Sequence, residues 1–181
     1  MIQCVGSRDE ERPYCSRTCC SQAVANAIRL KVASPETSVF VLYRDVRTYG
    51  FKEDYYREAR ERGVIFVQYP DDQNPRVTKA DTQVGSPLGI SILDAATGDP
   101  LDLDADLLVL SAGTVPPASN KTLAQMLKVP LNDDGYFLEA HAKLRPVDFS
   151  TEGIFVCGLA HGPKFMDETI AQAFAAASRA S

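Results

Sequence analysis

The chain lacks a long apolar run, an excess of positive charge and a recognisable leader, and each absence excludes a class of protein. Its longest apolar run, near Leu107–Ala112, is far shorter than the roughly 20 residues that a membrane-spanning helix needs. A net charge of −5 leaves no basic face for the phosphates of a nucleic acid. Because no charged and apolar leader opens the sequence, we expect a cytoplasmic protein.

The order of predicted elements indicates the fold class. Apolar and β-branched runs predict strands at Met1–Val5, Ser38–Tyr43 and Val64–Tyr69. Helical spacing of apolar residues predicts helices over Ser16–Lys31 and Phe51–Arg62. Alternating strands and helices are typical of the α/β class, with a Rossmann-like, doubly wound parallel sheet.

Shorter elements follow the third strand. We expect a small antiparallel meander, formed by Arg76–Thr82, Leu88–Asp94 and Leu101–Leu103. After it we expect a buried strand, a helix, two short strands and an alanine-rich helix, at Asp106–Ser111, Ser119–Lys128, Gly135–Leu138, Gly153–Cys157 and Asp167–Ala180. Two prolines near Val115–Ser119 mark the expected boundary between two parts of the chain.

Four of the five cysteines lie within the first twenty residues, at Cys4, Cys15, Cys19 and Cys20. In a chain of this size without a leader, such a cluster favours metal or redox chemistry over a disulfide framework. Cys15 and Cys19 are four residues apart, so they are predicted to share one face of the first helix. A helix N-terminus favours thiolates, and Arg8, Arg12 and Arg17 add positive charge.

Cysteine spacing alone leaves several alternatives open. Zinc is the main competitor, although zinc-binding cysteines usually form two closely spaced pairs, a pattern that this sequence lacks. Cys19 and Cys20 are alternatively a redox-active adjacent disulfide, or some of the thiols are simply buried. Cys157 stands alone in an apolar run and is predicted to be a buried structural thiol.

Two later segments suggest contacts with a flavin. The first strand–helix turn has only Gly6, where a dinucleotide-binding domain carries a glycine-rich loop, so we expect no NAD(P) binding. The segments DLLVLSAGTVPP and GIFVCGLAHGPK each end a predicted strand in small residues, and the second leads into a helix N-terminus suited to an anion. The candidate cofactor-binding residues are Gly113, Thr114, Gly158, His161, Pro163 and Lys164.

Four stretches resemble the heterodisulfide reductase A family: MIQCVGSRDEERPYCSRTCC, VLYRDVRTYGF, EAHAKLRPVDF and CGLAHGPKFMDETIAQAFAAASRA. The resemblance covers nearly the whole chain. It implies that the family's core is similar to thioredoxin reductase. This core binds FAD, and its former nicotinamide domain carries a 4Fe–4S cluster on cysteines that match Cys4, Cys15, Cys19 and Cys20. Residues 1–115 would then be the former nicotinamide domain, and residues 116–181 the C-terminal portion of an FAD-binding domain whose N-terminal half is missing.

The resemblance also implies a function. The family's members are oxidoreductase subunits that relay electrons between the cluster, FAD and partner subunits. The implied partners are ferredoxin and other heterodisulfide-reductase-like, hydrogenase or dehydrogenase subunits, and a homodimer is an expected assembly. Because half of the FAD site is missing, we expect the chain alone to be inactive.

Two departures from the family's pattern qualify these expectations, the missing half of the FAD-binding domain and Ala25. Ala25 occupies a position where relatives often place a lysine near the flavin, which favours plain electron transfer over bifurcation. Leu159 follows Gly158 where thioredoxin reductase relatives have aspartate; this difference is ordinary for the family, and it implies that another group contacts the ribityl chain. The alternative functions are a docking or scaffold domain with zinc or no metal, and a thiol–disulfide enzyme that uses the adjacent cysteines.

Overall fold

The computed structural model of the chain describes residues 1–79 and 88–181. The chain divides into two compact units. The first contains Met1–Gly6 and Cys19–Gly113, and the second contains Ser7–Thr18 and Thr114–Ser181. The short loop that carries Cys15 therefore belongs to the second unit, although it interrupts the first unit in sequence.

The first unit is built on a parallel sheet. Its described strands are β1 (Ile2–Val5), β2 (Phe40–Tyr43), β3 (Ile65–Gln68), β4 (Arg76–Lys79), β5 (Leu88–Leu93), β6 (Pro100–Ala105) and β7 (Leu110–Ala112), and its helices are α1 (Cys19–Ala33) and α2 (Lys52–Glu61). The parallel sheet has the order β3-β2-β1-β7, and β4, β5 and β6 form an antiparallel meander. This arrangement confirms the predicted α/β class and its Rossmann-like sheet.

Apolar residues on both faces of the sheet form the core of this unit. One cluster joins the sheet to α1 and α2, and its buried members are Val24, Ala27, Val39, Val41, Ala59 and Val64. The other joins the sheet to the meander, through Ile2, Leu42, Val67, Tyr69, Ile90 and Ile92. Side chains alternate between the two faces of a strand, so continuous apolar runs are required where both faces are covered.

The second unit has little regular structure outside its helices. These are α3 (Asn120–Leu127), α4 (Met166–Ala180) and a single 3-10 turn at Gly158–Ala160. Its core is the cluster Ala124, Val129, Phe137, Phe149 and Val156. The predicted strands Gly135–Leu138 and Gly153–Cys157 are wrong, because their backbone makes only the isolated bridges Leu131–Phe137 and Asp148–Phe155.

The start of the first helix also differs from the prediction. α1 begins at Cys19, not at Ser16. Arg17 has a left-handed backbone with φ of 60°, which interrupts a right-handed helix. Cys15 therefore precedes the helix, and the prediction that it shares a helical face with Cys19 is wrong.

The predicted buried strand Asp106–Ser111 is shorter and more exposed than expected. It is reduced to β7, and Leu107 and Leu110 are 74% and 52% exposed. β7 is the last strand in the sheet order, so neighbouring strands do not cover it on both sides. In the meander, residues 80–82 of the predicted first strand lie outside the described residues.

Across residues 1–79 and 88–181, no helix combines the length and the apolar character needed to cross a membrane.

Candidate functional site

Cys4 lies at an irregularity in the central strand of the first unit. Its φ of 61° is left-handed, which is uncommon for a residue other than glycine. The pairing of β1 with β7 shifts register between Ile2 and Val5, so β1 has one extra residue there. A bulge of this kind re-aims a side chain and is frequent beside functional sites. The apolar run predicted a plain strand and gave no signal of the bulge.

Cys19 and Cys20 occupy the first turn of α1. The Cys20 sulfur lies 3.7 Å from the carbonyl oxygen of Asp45. A hydrogen bond from the Cys19 thiol lowers the pKa of Cys20 to about 6, helped by the backbone N–H of Arg47 and opposed by burial. Cys20 is therefore ready to act as a thiolate ligand or nucleophile near neutral pH.

Two polar side chains beside these cysteines in sequence have no hydrogen-bond partner in the described part of the chain. Gln3 is 1% exposed, and neither its amide nitrogen nor its amide oxygen has a hydrogen-bond partner within the described residues. The hydroxyl of Ser21, next to Cys20, is in the same state. Because buried polar groups are nearly always hydrogen-bonded, these two positions are suited to a bound group or a water.

Cys15 lies in the second unit, in a loop that is bonded to Thr114. The backbone N–H of Arg17 donates to the Cys15 sulfur at 3.3 Å. The Thr114 N–H donates to the Ser16 hydroxyl at 2.8 Å. The hydroxyls of Tyr14 and Tyr136 both donate to the Thr114 carbonyl, at 3.0 and 2.9 Å. The loop is thus attached to one of the predicted flavin segments.

The same loop is attached to the other predicted flavin segment through Arg17. Its guanidinium donates to the Pro163 carbonyl at 3.1 Å and pairs with the Glu168 carboxylate at 2.6 Å. Glu168 also accepts the Phe165 N–H at 2.8 Å, which caps the N-terminus of α4. The loop Tyr14–Arg17 is therefore hydrogen-bonded to Thr114 in one predicted flavin segment and to Pro163 in the other.

His161 is the centre of a polar network in the second unit. Its Nε2 lies 2.7 Å from the Glu139 carboxylate, and its Nδ1 lies 2.9 Å from Lys164 Nζ and 2.7 Å from Gln172 Nε2. The Gln172 oxygen accepts from Lys164 Nζ at 2.8 Å and from the Gly158 N–H at 2.9 Å. Since Nδ1 faces two donors and Nε2 faces a carboxylate, the network assigns the proton to Nε2.

The network also changes the acidity of its charged members. Partial burial, followed by the charge of Arg17, lowers the pKa of Lys164, against the opposing carboxylates of Glu168 and Glu139. Burial opposes ionisation of Glu139, but hydrogen bonds from His161 and its own backbone outweigh it and lower the pKa. Lys164 therefore gives up its proton more easily than an ordinary lysine.

The remaining predicted residues lie at turns. Gly158 has a φ of 67°, which strains any other residue, and a Cβ there would meet the Thr169 methyl at 3.3 Å, so the position is also crowded. Gly113 belongs to the first unit, where its N–H donates to the Val5 carbonyl at 2.8 Å. Thr114 begins the second unit.

Cys157 is exposed, so its prediction as a buried thiol is wrong. Its backbone is extended, and the preceding Val156 is the residue that enters the core. Successive side chains point to opposite sides of an extended segment, so burying Val156 turns Cys157 outward.

The four predicted metal ligands are divided between the units. Cys4, Cys19 and Cys20 belong to the first unit and Cys15 to the second. Within the described ranges, three or more His, Cys, Asp or Glu side chains are nowhere gathered into a group that could hold a metal ion. The five cysteines, all of them in the described part of the chain, form no disulfide with one another. Joint binding of a metal cluster by the four cysteines therefore stays a prediction.

Sequence reasoning missed two members of the His161 network, Glu139 and Gln172. The signal for Gln172 was present, because Glu168 and Gln172 are four residues apart on a helix that is otherwise rich in alanine. Polar side chains at this spacing share one helical face, here the face toward His161. Glu139 comes from an irregular segment, for which no periodicity exists.

No protein-family model matches the chain. Among curated proteins, it is 43% identical over 99% of its length to the ferredoxin:CoB-CoM heterodisulfide reductase A subunit of Methanosarcina acetivorans. It is 42% identical to the CoB-CoM heterodisulfide reductase iron-sulfur A subunit of Methanocaldococcus jannaschii, and 38% identical to a protein of Archaeoglobus profundus named as similar to the heterodisulfide reductase A subunit, each over 99% of the chain. The chain spans 22%, 27% and 25% of these relatives, respectively.

Proposed function

The chain is homologous over nearly its whole length to one segment of the heterodisulfide reductase A subunit, and we propose that it is an electron-transfer portion of such an oxidoreductase. The observation that carries the proposal is the loop Tyr14–Arg17. It bears a predicted cluster ligand and is hydrogen-bonded to both predicted flavin segments. Electron transfer between the proposed cluster and the proposed flavin requires that the residues that bind them are connected, as they are through this loop.

The thiols fit a 4Fe–4S cluster by their chemistry. Thiolates are the ligands that iron–sulfur clusters take, and the lowered pKa of Cys20 supplies one near neutral pH. The first turn of α1 adds the positive end of a helix dipole, which favours an anionic group. The buried amide of Gln3, which has no hydrogen-bond partner among residues 1–79 and 88–181, supplies a donor next to Cys4 in sequence. When bound, the cluster would supply one-electron transfer at Cys4, Cys15, Cys19 and Cys20.

We propose that residues of the second unit form part of a flavin site. Gly158 brings backbone close to the N-terminal end of α4, where an anionic group is favoured. Lys164 is half-buried, fixed by His161 and Gln172, and has a lowered pKa, so it can hold or release a proton there. When bound, FAD would supply the second redox group of the relay. Its proposed contacts remain Gly113, Thr114, Gly158, His161, Pro163 and Lys164.

The cysteine assignment is tested by anaerobic purification and reconstitution with iron and sulfide. We expect about four irons per chain with broad visible absorption, and loss of both in Cys19→Ala and Cys20→Ala. Cys157→Ala is the matched control, because this exposed thiol lies outside the set and must leave iron content unchanged. Reconstituted chain that binds no iron, or that binds zinc through the four thiols, would contradict the proposal and favour a scaffold.

The flavin assignment is tested in the full-length protein. Lys164→Met removes the charge that His161 and Gln172 hold, so we expect a changed pH dependence of the flavin midpoint potential. Lys143→Met, at an exposed position, is the control. Equal pH profiles for both variants and the wild type would show that Lys164 does not face the flavin. We expect ferredoxin and other reductase, hydrogenase or dehydrogenase subunits as partners.

A further inference from the structure

Arg17 combines contacts to a predicted cluster ligand with contacts to a predicted flavin segment. Its backbone N–H donates to the Cys15 sulfur, and its guanidinium bridges the Pro163 carbonyl and the Glu168 carboxylate. We infer that Arg17 is a positioning residue, which fixes the loop carrying Cys15 against the segment that carries Lys164. The inference deepens the proposed function and rests on it only for the effect on a bound cluster.

The backbone of Arg17 explains why anchoring is needed. Its φ of 60° is left-handed, a conformation that side-chain-bearing residues adopt only when surrounding contacts hold it. In this conformation the N–H of residue 17 points at the Cys15 sulfur. The two guanidinium contacts, to Pro163 and Glu168, hold the residue in place from the opposite end of its side chain.

Glu168, which pairs with the Arg17 guanidinium, is itself held in place. Glu168 uses one oxygen for Arg17 and the other for the Phe165 N–H at the start of α4. The Arg17 contact to Pro163 lies directly before Lys164. A movement of the Cys15 loop is therefore transmitted to the residues that orient Lys164, and the positive charge of Arg17 acts on Lys164 as well.

An N–H donated to a ligand sulfur stabilises the more negative, reduced state of an iron–sulfur cluster and raises its midpoint potential. A substitution that removes the Arg17 guanidinium should therefore lower the midpoint potential of the cluster for two reasons. The positive charge is lost, and the N–H···S bond to Cys15 is weakened. The two causes are separable, because glycine restores the left-handed backbone without restoring the charge.

The experiment compares the wild type with Arg17→Ala and Arg17→Gly, both of which lack the guanidinium, and we expect slower exchange at residue 17 in the wild type than in Arg17→Ala. In the metal-free chain we measure amide hydrogen exchange at residue 17. Alanine resists the left-handed conformation by roughly 1 kcal/mol, so we expect exchange about fivefold faster in Arg17→Ala than in Arg17→Gly. Arg12→Ala, whose side chain pairs with the exposed Glu11, is the control in the same loop and should match the wild type.

The second readout is the cluster midpoint potential of the reconstituted chain. We expect Arg17→Ala to lower it more than Arg17→Gly does, with iron content unchanged in both. Exchange at residue 17 that is no faster in Arg17→Ala than in the wild type would overturn the inference, because the guanidinium contacts would then not hold the loop. A wild-type chain that binds no cluster would contradict the proposed function, whereas the exchange measurement would still decide the role of Arg17.

Discussion

Replacing Gln172 by leucine removes three hydrogen bonds at once. Its amide oxygen accepts from the Gly158 N–H and Lys164 Nζ, and its amide nitrogen donates to His161 Nδ1. Leucine fills a similar volume on α4 but offers none of these groups. The substitution removes the acceptor of the Gly158 N–H and places an apolar side chain beside the half-buried ammonium of Lys164.

The expected cost follows from the three contacts. A typical intramolecular hydrogen bond contributes about 1 kcal/mol to stability, and one to a charged group contributes about 1.5 kcal/mol or more. Gln172 and Lys164 are only half-buried, so water replaces part of what is lost. We therefore expect the free energy of unfolding to fall by about 2 kcal/mol, which lowers the melting temperature by roughly 4–8 °C in a chain of this size.

Calorimetric unfolding of the metal-free chain measures this loss and reveals whether the two compact units melt separately. Gln125→Leu is the matched control, because Gln125 lies on α3 with an exposed side chain. Such a surface change is expected to stay within about 0.5 kcal/mol of the wild type. If Gln172→Leu is as stable as Gln125→Leu, the network around His161 does not hold this unit together, and the reasoning is refuted.

Two further predictions concern a turn and a thiol. Gly158→Ala should lower stability more than Gly153→Ala, because both have a left-handed φ but only the first would press a Cβ against Thr169; equal losses in thermal melts would contradict the packing argument. In the metal-free chain, the lowered pKa of Cys20 means that the folded state loses the proton first, so stability should rise as pH increases from about 6 towards 9.0. Denaturation across this range should show the rise in the wild type and not in Cys20→Ser.

The sheet could be predicted because both of its faces are covered. Strands such as Phe40–Tyr43 are continuous apolar runs, and helices of clear periodicity separate them. The edge strand β7 could not be predicted in the same way. Its sequence is as apolar as that of a central strand, yet Leu110 is 52% exposed in this last strand of the sheet order.

The loop around Cys15 shows a different limit of sequence reasoning. The spacing of Cys15 and Cys19 favours one helical face, and nothing in the local sequence indicates that the helix begins only after Cys15. The helix instead starts at Cys19, because Arg17 is held left-handed by contacts with Pro163 and Glu168, which lie about 150 residues away. Tertiary contacts at such separation override local preference, and no local pattern reveals them.

In helix α4, the spacing of the large apolar residues fails to identify the inner face of the whole helix. Its large apolar residues Met166, Ile170 and Phe174 recur every four residues and would be assigned to the core by periodicity. In the structure they are 75%, 49% and 73% exposed, whereas Gln172 points toward the His161 network. The inner face of this helix is therefore selected by hydrogen bonding rather than by apolar burial. A polar inner face is costly unless every group on it is paired, so the residues that satisfy Gln172 are the ones on which the position of Lys164 depends.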